Sequence, residues 1–584
     1  MRRNNFDVLK AVAIIAVVLY HLGTCEYGYL GVDIFLVIAG YFTSQSVEKQ
    51  IVNGVGGYFR FVENRIFRLL PLLLIAGVVC LVWGWLMMLP DDLENTAQSI
   101  VATNFFANNI LQAVTTKNYW DIVNEYKPLM HTWYVGLIMQ FYFFVPLVLF
   151  IIGRRVNDVD KRRIVNITFI VMLGVISLIC YITEKNAAAK FYYLPYRLFE
   201  FGAGSLVFYL SDKKPKKVSK SILVNVDFVI IYLSILVLLF IDVEYVSRTI
   251  RLLITVCLTS VLLFMMTRVE WAQSKIFSNK WIAYIGVCTF SIFVWHQVAL
   301  ALIRYSFTNN MTDFLPLLTF VVITSVLSIL SYRYVEQMKK TPKAWGVIGV
   351  MLIATTVISL YIYKNAGVIR DVPELEVVKG KVKRGQWTEY CDRVYKYDKD
   401  FTNTDKPKWY VIGNSFGRDM VNIILESELS STVEISYSYI NDYKDKKSRF
   451  SNADVVFLSS LGVDDSLIKD VRSRCSKKTR FVLVGEKNFG ENNGQVYRHR
   501  FDDNYHQLTV EMENGYEEKN RYLKNIYSNC FIDMIGLVQN KNGRIPVFTK
   551  KGHFISQDCR HLTKFGAQYY ASLIDLKSFL KKIK

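Results

Sequence analysis

Up to about residue 365, apolar positions run together in stretches of some 20 residues, and beyond it polar and apolar positions alternate on a short scale. About 20 consecutive apolar residues is the length an α-helix needs to cross the hydrocarbon of a bilayer. Eleven such runs are read, at 8–24, 28–47, 66–89, 133–153, 164–183, 194–210, 221–241, 250–267, 282–303, 315–335 and 344–363. Further on, Trp409 to Ile412 read as a buried strand, Gly413-Asn414-Ser415 as a tight turn and Met420 to Leu425 as helix. More strands are predicted at 454–460 and 480–485 with helical stretches between them, which makes a small α/β unit with a mainly parallel sheet. The expected layout is a polytopic α-helical membrane domain over 1–364, a charged linker over 365–406 and an α/β domain over 407–584.

Charge orients this layout. Lys and Arg crowd alternate connections, among them Arg2 and Arg3, Arg154 to Arg163, Lys213 to Lys220 and Lys339 to Lys343, while an intervening one opens with Asp91, Asp92 and Glu94. The positive-inside rule then puts the N-terminus in the cytoplasm, and an odd number of spans puts everything after residue 364 outside. The net charge of +20 is accounted for by these loops, so nucleic acid is not expected as a partner. The first run lacks an A-x-A-like cleavage site and is read as a retained span. Cys391, Cys475, Cys530 and Cys559 fall in the outer part, where one or two disulfides are expected with the pairing open. No Cys-x-x-Cys or histidine cluster suggests a metal.

Candidate chemistry begins at FISQDCRHLTKFG (554–566), where Asp558 and His561 fit an acid and a base in need of a nucleophile. Ser415, at a strand-to-helix turn, has an exposed hydroxyl and backbone N–H groups nearby; the plain alternative is a helix-capping serine. In the membrane part, His21 lies near the outward end of the first run, and Asp33 is set among apolar neighbours. Arg65 and Arg68 stand three apart at the cytoplasmic surface, suited to the phosphates of an anionic donor or to anchoring alone.

Over about 408–575 the chain resembles the SGNH (GDSL-like) hydrolase and acyltransferase fold. Gly413-Asn414-Ser415 stands for its first block, Gly462-Val463-Asp464-Asp465 for its middle block and Asp558-Cys559-Arg560-His561 for its last. The resemblance implies Ser415 as nucleophile, His561 as base and Asp558 as orienting acid. Two positions depart from it: Asn414 replaces an Asp, and Asp464 stands where the family places an oxyanion-holding Asn. A carboxylate repels an oxyanion, which leaves the backbone N–H groups of Ser415 and Gly462, or the amide of Asn488, as donors. A domain that binds sugars without catalysis remains an alternative, and Trp409, Tyr437 and Tyr439 are either sugar platforms or core residues.

Residues 1–340 resemble the acyltransferase-3 family of bacterial membrane O-acyltransferases, through FDVLKAVAIIAVVLYH (6–21), GYLGVDIFLVIAGY (28–41), RIFRLLP (65–71), PLMHTWYVGLIMQFYFFVP (128–146), FYYLPYRLFEFGAG (191–204), IGVCTFSIFVWHQ (285–297) and SYRYVE (331–336). This resemblance implies His21 as general base or acyl-handling residue and Arg65 and Arg68 as donor-binding residues. Lys10 stands where the family has Arg, and Ile138 and Met139 stand where many members carry two Glu. Asp33, Arg197, Glu200, His296 and Glu336 are further candidates, for support or for chemistry.

Together the two resemblances imply a multi-pass protein of the bacterial plasma membrane. It would carry an acyl group, acetyl first, from cytoplasmic acyl-CoA to a hydroxyl of a cell-envelope polysaccharide outside, with no bound cofactor. The alternatives are a membrane-tethered deacetylase or esterase, and a transporter or flippase with a glycan-binding outer domain.

Overall fold

The computed structural model describes residues 4–51, 54–115, 126–211, 222–241, 246–268, 280–307, 311, 313–381, 386–402, 405–490 and 494–582. The chain divides into two compact units. One comprises Met1–Gly84, Asn95–Arg304 and Asn310–Leu360, and the other Trp85–Glu94, Tyr305–Asn309 and Tyr361–Lys584.

The first unit is helical. Its helices are α1 (Asn4–His21), α2 (Gly31–Gln50), α3 (Gly54–Met87), α4 (Pro90–Asn104), α5 (Asn108–Thr115), α6 (Trp133–Arg155), α7 (Val159–Thr183), α8 (Ala187–Tyr192), α9 (Leu198–Leu210), α10 (Ile222–Phe240), α11 (Arg248–Arg268), α12 (Lys280–Val287), α13 (Thr289–Ser306), α14 (Phe314–Ser331) and α15 (Pro342–Lys364), of which the ends of α3, α13 and α15 and the start of α4 count with the second unit. Among the described residues, seven helices are long and apolar enough to cross a membrane, or eight if α12 and α13, bent by 70°, count as one broken span. Such a set makes this a multi-pass membrane protein.

Each of the eleven apolar runs falls on helix, but not all are straight spans. The run at 194–210 is a 3₁₀ turn at Leu194–Tyr196 holding Pro195, followed by α9, whose 13 residues reach roughly 20 Å and fall short of a bilayer core. The run at 66–89 belongs to a longer helix of 34 residues with Pro71 inside it. Helices α4 and α5 are rich in polar residues and carry no long apolar run, so the apolar pattern does not mark them.

Helices α2 and α9 make the most extensive helix contact in this unit. A Cβ on Gly40 would lie 2.0 Å from the Phe201 carbonyl oxygen, and one on Gly204 would lie 1.8 Å from that of Val37, so only hydrogen fits at either place. Small residues that let backbones approach in this way are how membrane helices gain packing contacts.

The second unit contains strands β1 (Lys408–Gly413), β2 (Glu434–Tyr439), β3 (Val455–Leu458), β4 (Arg480–Val484), β5 (Thr509–Val510), β6 (Phe531–Ile532) and β7 (Ile545–Pro546). Five of them form a parallel sheet in the order β2-β1-β3-β4-β6, and β5 pairs with β7. Alternation along β1 feeds both faces: Trp409 and Val411 enter one apolar core, Tyr410 and Ile412 the other. Strand order reverses at β1, which brings the loops after β1 and β3 side by side at the carboxyl ends of the sheet. Within the segment 365–406, read as a charged linker, Val372 and Val394 are fully buried.

Cys391, Cys475, Cys530 and Cys559 form no disulfide, which corrects the expected one or two. Cys475 and Cys530 instead pack as small apolar groups on the second core, and Cys391 and Cys559 are buried singly.

Candidate active site

After the short helix α16 (Gln386–Asp392), Ser415 opens helix α17 (Ser415–Glu426) with only Asn414 between it and the end of β1, and its side chain is buried where the sequence pattern predicts an exposed hydroxyl. Asn414 caps that helix: its Oδ1 accepts the N–H of Phe416 at 3.1 Å and of Leu461 at 3.2 Å, which ties the loop after β3 to the helix start. Either Asn or Asp supplies this acceptor, so the departure from the SGNH pattern costs the turn nothing. A Cβ on Gly413 would lie 1.7 Å from the Ser459 carbonyl oxygen, so glycine is required where the two loops meet.

His561 Nε2 lies 3.0 Å from Ser415 Oγ, and His561 Nδ1 lies 2.5 Å from Asp558 Oδ2. Since the carboxylate can only accept, Nδ1 carries the proton and Nε2 is left to accept from the serine hydroxyl. Burial pushes the Asp558 carboxyl up. The adjacent His561, its hydrogen bond, and the backbone N–H groups of Arg560 and His561 at 2.6 and 2.7 Å outweigh this and hold it down at about 2. Ser415, His561 and Asp558 thus stand in the hydrogen-bonding order that a nucleophile, base and orienting acid would take.

The oxyanion candidates fare differently. The Gly462 N–H donates to Glu486 Oε1 at 2.9 Å, and the same oxygen accepts from Lys519 Nζ at 2.5 Å. Asp464 does not face a reacting group, because its Oδ1 accepts the Leu467 N–H at 2.7 Å and caps the next helix. Asn488 holds a turn, its Oδ1 accepting from Gly490 and Glu513 N–H at 2.8 and 3.0 Å, and its buried Nδ2 has no partner among the described residues. Ser415 lies at the N-terminus of its helix, where N–H groups are not used within the helix and the dipole favours negative charge. Trp409 and Tyr437 are core residues, and the Tyr437 hydroxyl donates to the Gly413 carbonyl at 3.0 Å.

Two further features lie near these three residues. Lys487 Nζ lies 2.7 Å from Asp419 Oδ2 and 3.8 Å from the centre of the Phe416 ring, and the same Asp419 oxygen accepts the Leu562 N–H at 3.2 Å. This buried pair joins the serine helix to the histidine loop. Asp91, read only as loop acidity, has its carboxyl pushed up to about 7 by burial and by the charges of Asp92, Glu94 and Asp558.

In the membrane unit, His21 ends α1 half-buried, with its Nδ1 3.2 Å from Nε2 of the fully buried His296 on α13. His131 is buried beside them, its ring centre 5.2 Å from that of His296. It was not singled out from sequence, although it stands in the quoted PLMHTW stretch. Asp33 and Glu200 share one cation: Arg197 reaches Asp33 Oδ1 at 2.5 Å and Glu200 Oε1 at 3.0 Å, all three buried. Arg65 is flanked by the Phe61 and Tyr142 rings at 5.0 and 4.8 Å, and Arg68 lies 3.9 Å from Glu336, which accepts from Ser291 Oγ at 2.5 Å. Lys10 pairs with Asp7 at 3.1 Å, about three turns along α1 from His21. Ile138 and Met139 are buried and apolar, so no carboxylate stands at those two positions.

Residues 3–364 match the acyltransferase-3 family profile, described as an acyltransferase domain. The chain belongs to the acyltransferase-3 family. Among its relatives is a Listeria monocytogenes protein named peptidoglycan O-acetyltransferase OatA, 26% identical over 343 residues, 57% of this chain and 55% of that one. A Staphylococcus aureus protein named "Putative O-acetyltransferase" is 25% identical over 352 residues, 57% of this chain and 56% of its own length. A Komagataeibacter xylinus protein named "Putative membrane-bound transacylase BcsY" is 26% identical over 341 residues, 58% of this chain and 82% of its own length. The acyltransferase-3 chain thus spans little more than half the length of the first two. No solved structure matches it.

Proposed function

We propose that this acyltransferase-3 protein is an O-acetyltransferase that takes an acyl group from cytoplasmic acyl-CoA and delivers it to a hydroxyl of a glycan outside the cell, where the second unit lies. The observation that carries this reading is the Ser415–His561–Asp558 hydrogen-bonded order in the same chain as an acyltransferase-3 domain. Arg65 and Arg68 bind the anionic donor, and His21 takes the proton of the nucleophile that attacks the thioester carbonyl and returns it to the CoA sulfur, which leaves as the thiol when the C–S bond breaks. Asp33, Arg197 and Glu200 support that site as an ion-paired cluster.

In the outer step the Ser415 oxygen bonds to the acyl carbonyl carbon while its proton passes to His561 Nε2. The leaving group departs with that proton, and an acyl-serine remains. A sugar hydroxyl then gives its proton to Nε2 and its oxygen to the carbonyl carbon, and Ser415 recovers the proton when the ester bond breaks. Asp558, ionised throughout, stabilises the imidazolium formed in each half. The Listeria relative's name makes peptidoglycan the first acceptor to try.

The test is ester-linked acetate on surface glycans of cells carrying wild type, His21→Ala or Ser415→Ala at matched protein levels. Loss in both variants supports the relay. Unchanged acetate with Ser415→Ala removes the triad from transfer, and a gain makes the outer unit a deacetylase.

A further inference from the structure

The two ring nitrogens of His21 are not equivalent. Nδ1 lies 3.1 Å from the Val17 carbonyl oxygen and 3.2 Å from His296 Nε2. The carbonyl can only accept, so this contact is attractive only when His21 Nδ1 carries a hydrogen. His296 repeats the arrangement one layer deeper. Its Nδ1 lies 3.1 Å from the Ile292 carbonyl oxygen, so that nitrogen also carries a hydrogen, and a neutral His296 is left with a lone pair on Nε2. His296 Nε2 is therefore an acceptor aimed at the hydrogen that the Val17 carbonyl already requires on His21.

Reversing the pair fails on the same contacts. A proton on His296 Nε2 would need His21 Nδ1 as acceptor, and would then set the lone pair of that nitrogen against the Val17 carbonyl oxygen. The setting favours one arrangement further: His296 is fully buried on α13, while His21 is half-buried and closes α1, with its backbone carbonyl held by Arg304 at 3.1 Å.

We infer that His296 is the positioning residue of the membrane site: it fixes His21 as the tautomer protonated on Nδ1, so that Nε2 of His21 is the nitrogen that takes the proton from the acyl-accepting group. This rests on the reading of His21 as the base, and it adds which atom acts and what selects it. The logic is that by which a carboxylate orients a catalytic imidazole, with a neutral imidazole as the orienting acceptor.

The test has a readout independent of activity. Full-length protein carrying ¹⁵N-histidine is reconstituted in lipid, and the His21 signals are assigned by their loss in His21→Asn. Wild type is expected to show His21 protonated at Nδ1 alone. His296→Leu removes the acceptor and should populate the second tautomer and lower acyl transfer by roughly 10- to 100-fold. His296→Gln, whose amide oxygen reaches close to the place of Nε2, should restore the single tautomer and most of the transfer. A wild-type His21 protonated on Nε2 overturns the inference, as does an unchanged His21 tautomer in His296→Leu. If the tautomer result holds but His21→Ala leaves transfer intact, the reading of His21 as base falls while the assignment of His296 stands.

Discussion

The Lys487 ammonium sits 2.7 Å from the Asp419 carboxylate, and each side chain is only 3% exposed. Removing one partner of such a pair strands a charge away from water and typically costs 3–5 kcal/mol. Lys487→Met should therefore destabilise the second unit by about 3–5 kcal/mol, and Lys487→Met with Asp419→Asn should recover most of it. Denaturant unfolding of the full-length protein, followed by tryptophan fluorescence, measures both.

The triad makes a prediction about order of importance. Asp558→Asn keeps the shape but lets the His561 ring take the other tautomer, and should lower turnover at Ser415 by about 10³- to 10⁴-fold. Ser415→Ala should remove the acyl-serine altogether. Mass spectrometry of protein quenched with acyl donor tests this directly: acyl on Ser415 in wild type, and none on the alanine variant.

Glu486 presents a negative charge to the Gly462 N–H, a donor an oxyanion on Ser415 would call upon. Glu486→Gln should raise hydrolysis of a small acetate ester by about 10-fold. An unchanged or lower rate would mean that this N–H takes no part.

Arg197 serves two buried carboxylates at once. Arg197→Ala should leave both unpaired and cost on the order of 3–5 kcal/mol, seen as a loss of monodisperse protein in detergent. Arg197→Lys keeps the charge without the fork and should fall between.

Two acids of the second unit move in opposite directions. Asp558 folds with its value lowered from 3.8 to about 2, so its contribution is present above pH 3.8 and is lost as pH falls toward 2. Asp91 folds with its value raised from 3.8 to about 7, so the folded state holds the extra proton and stability declines as pH rises from 3.8 to 7. Asp91→Asn should flatten the second slope and leave the first, which thermal unfolding across pH 2 to 9 will show.

Much of the second unit's site was legible because its chemistry is local. Asp558 and His561 are three apart, and Ser415 follows a strand that a short continuous apolar run reveals. The oxyanion candidates were not legible, since what Gly462 and Asn488 do depends on Glu486 and on the Gly490 and Glu513 backbone folding against them. Strand β2 was hidden by Ser436 and Ser438, which look polar but are buried; Ser436 donates to the Lys399 carbonyl at 2.6 Å, and Ser438 accepts from Tyr410 at 2.8 Å. In the membrane unit, hydropathy marked the runs but not the Pro195 turn that shortens α9, nor the pairing of His21 with His296 across 275 positions.

The glycines at 40 and 204 set a tolerance on charge. Asp33 lies on the same helix as Gly40, and Arg197 caps the helix that carries Gly204, so the spacing those hydrogens permit is also the reach over which the guanidinium meets its carboxylate. A single methyl at either glycine would act as a shim. It would alter the electrostatics of a group more than a helical turn away without touching any charged atom.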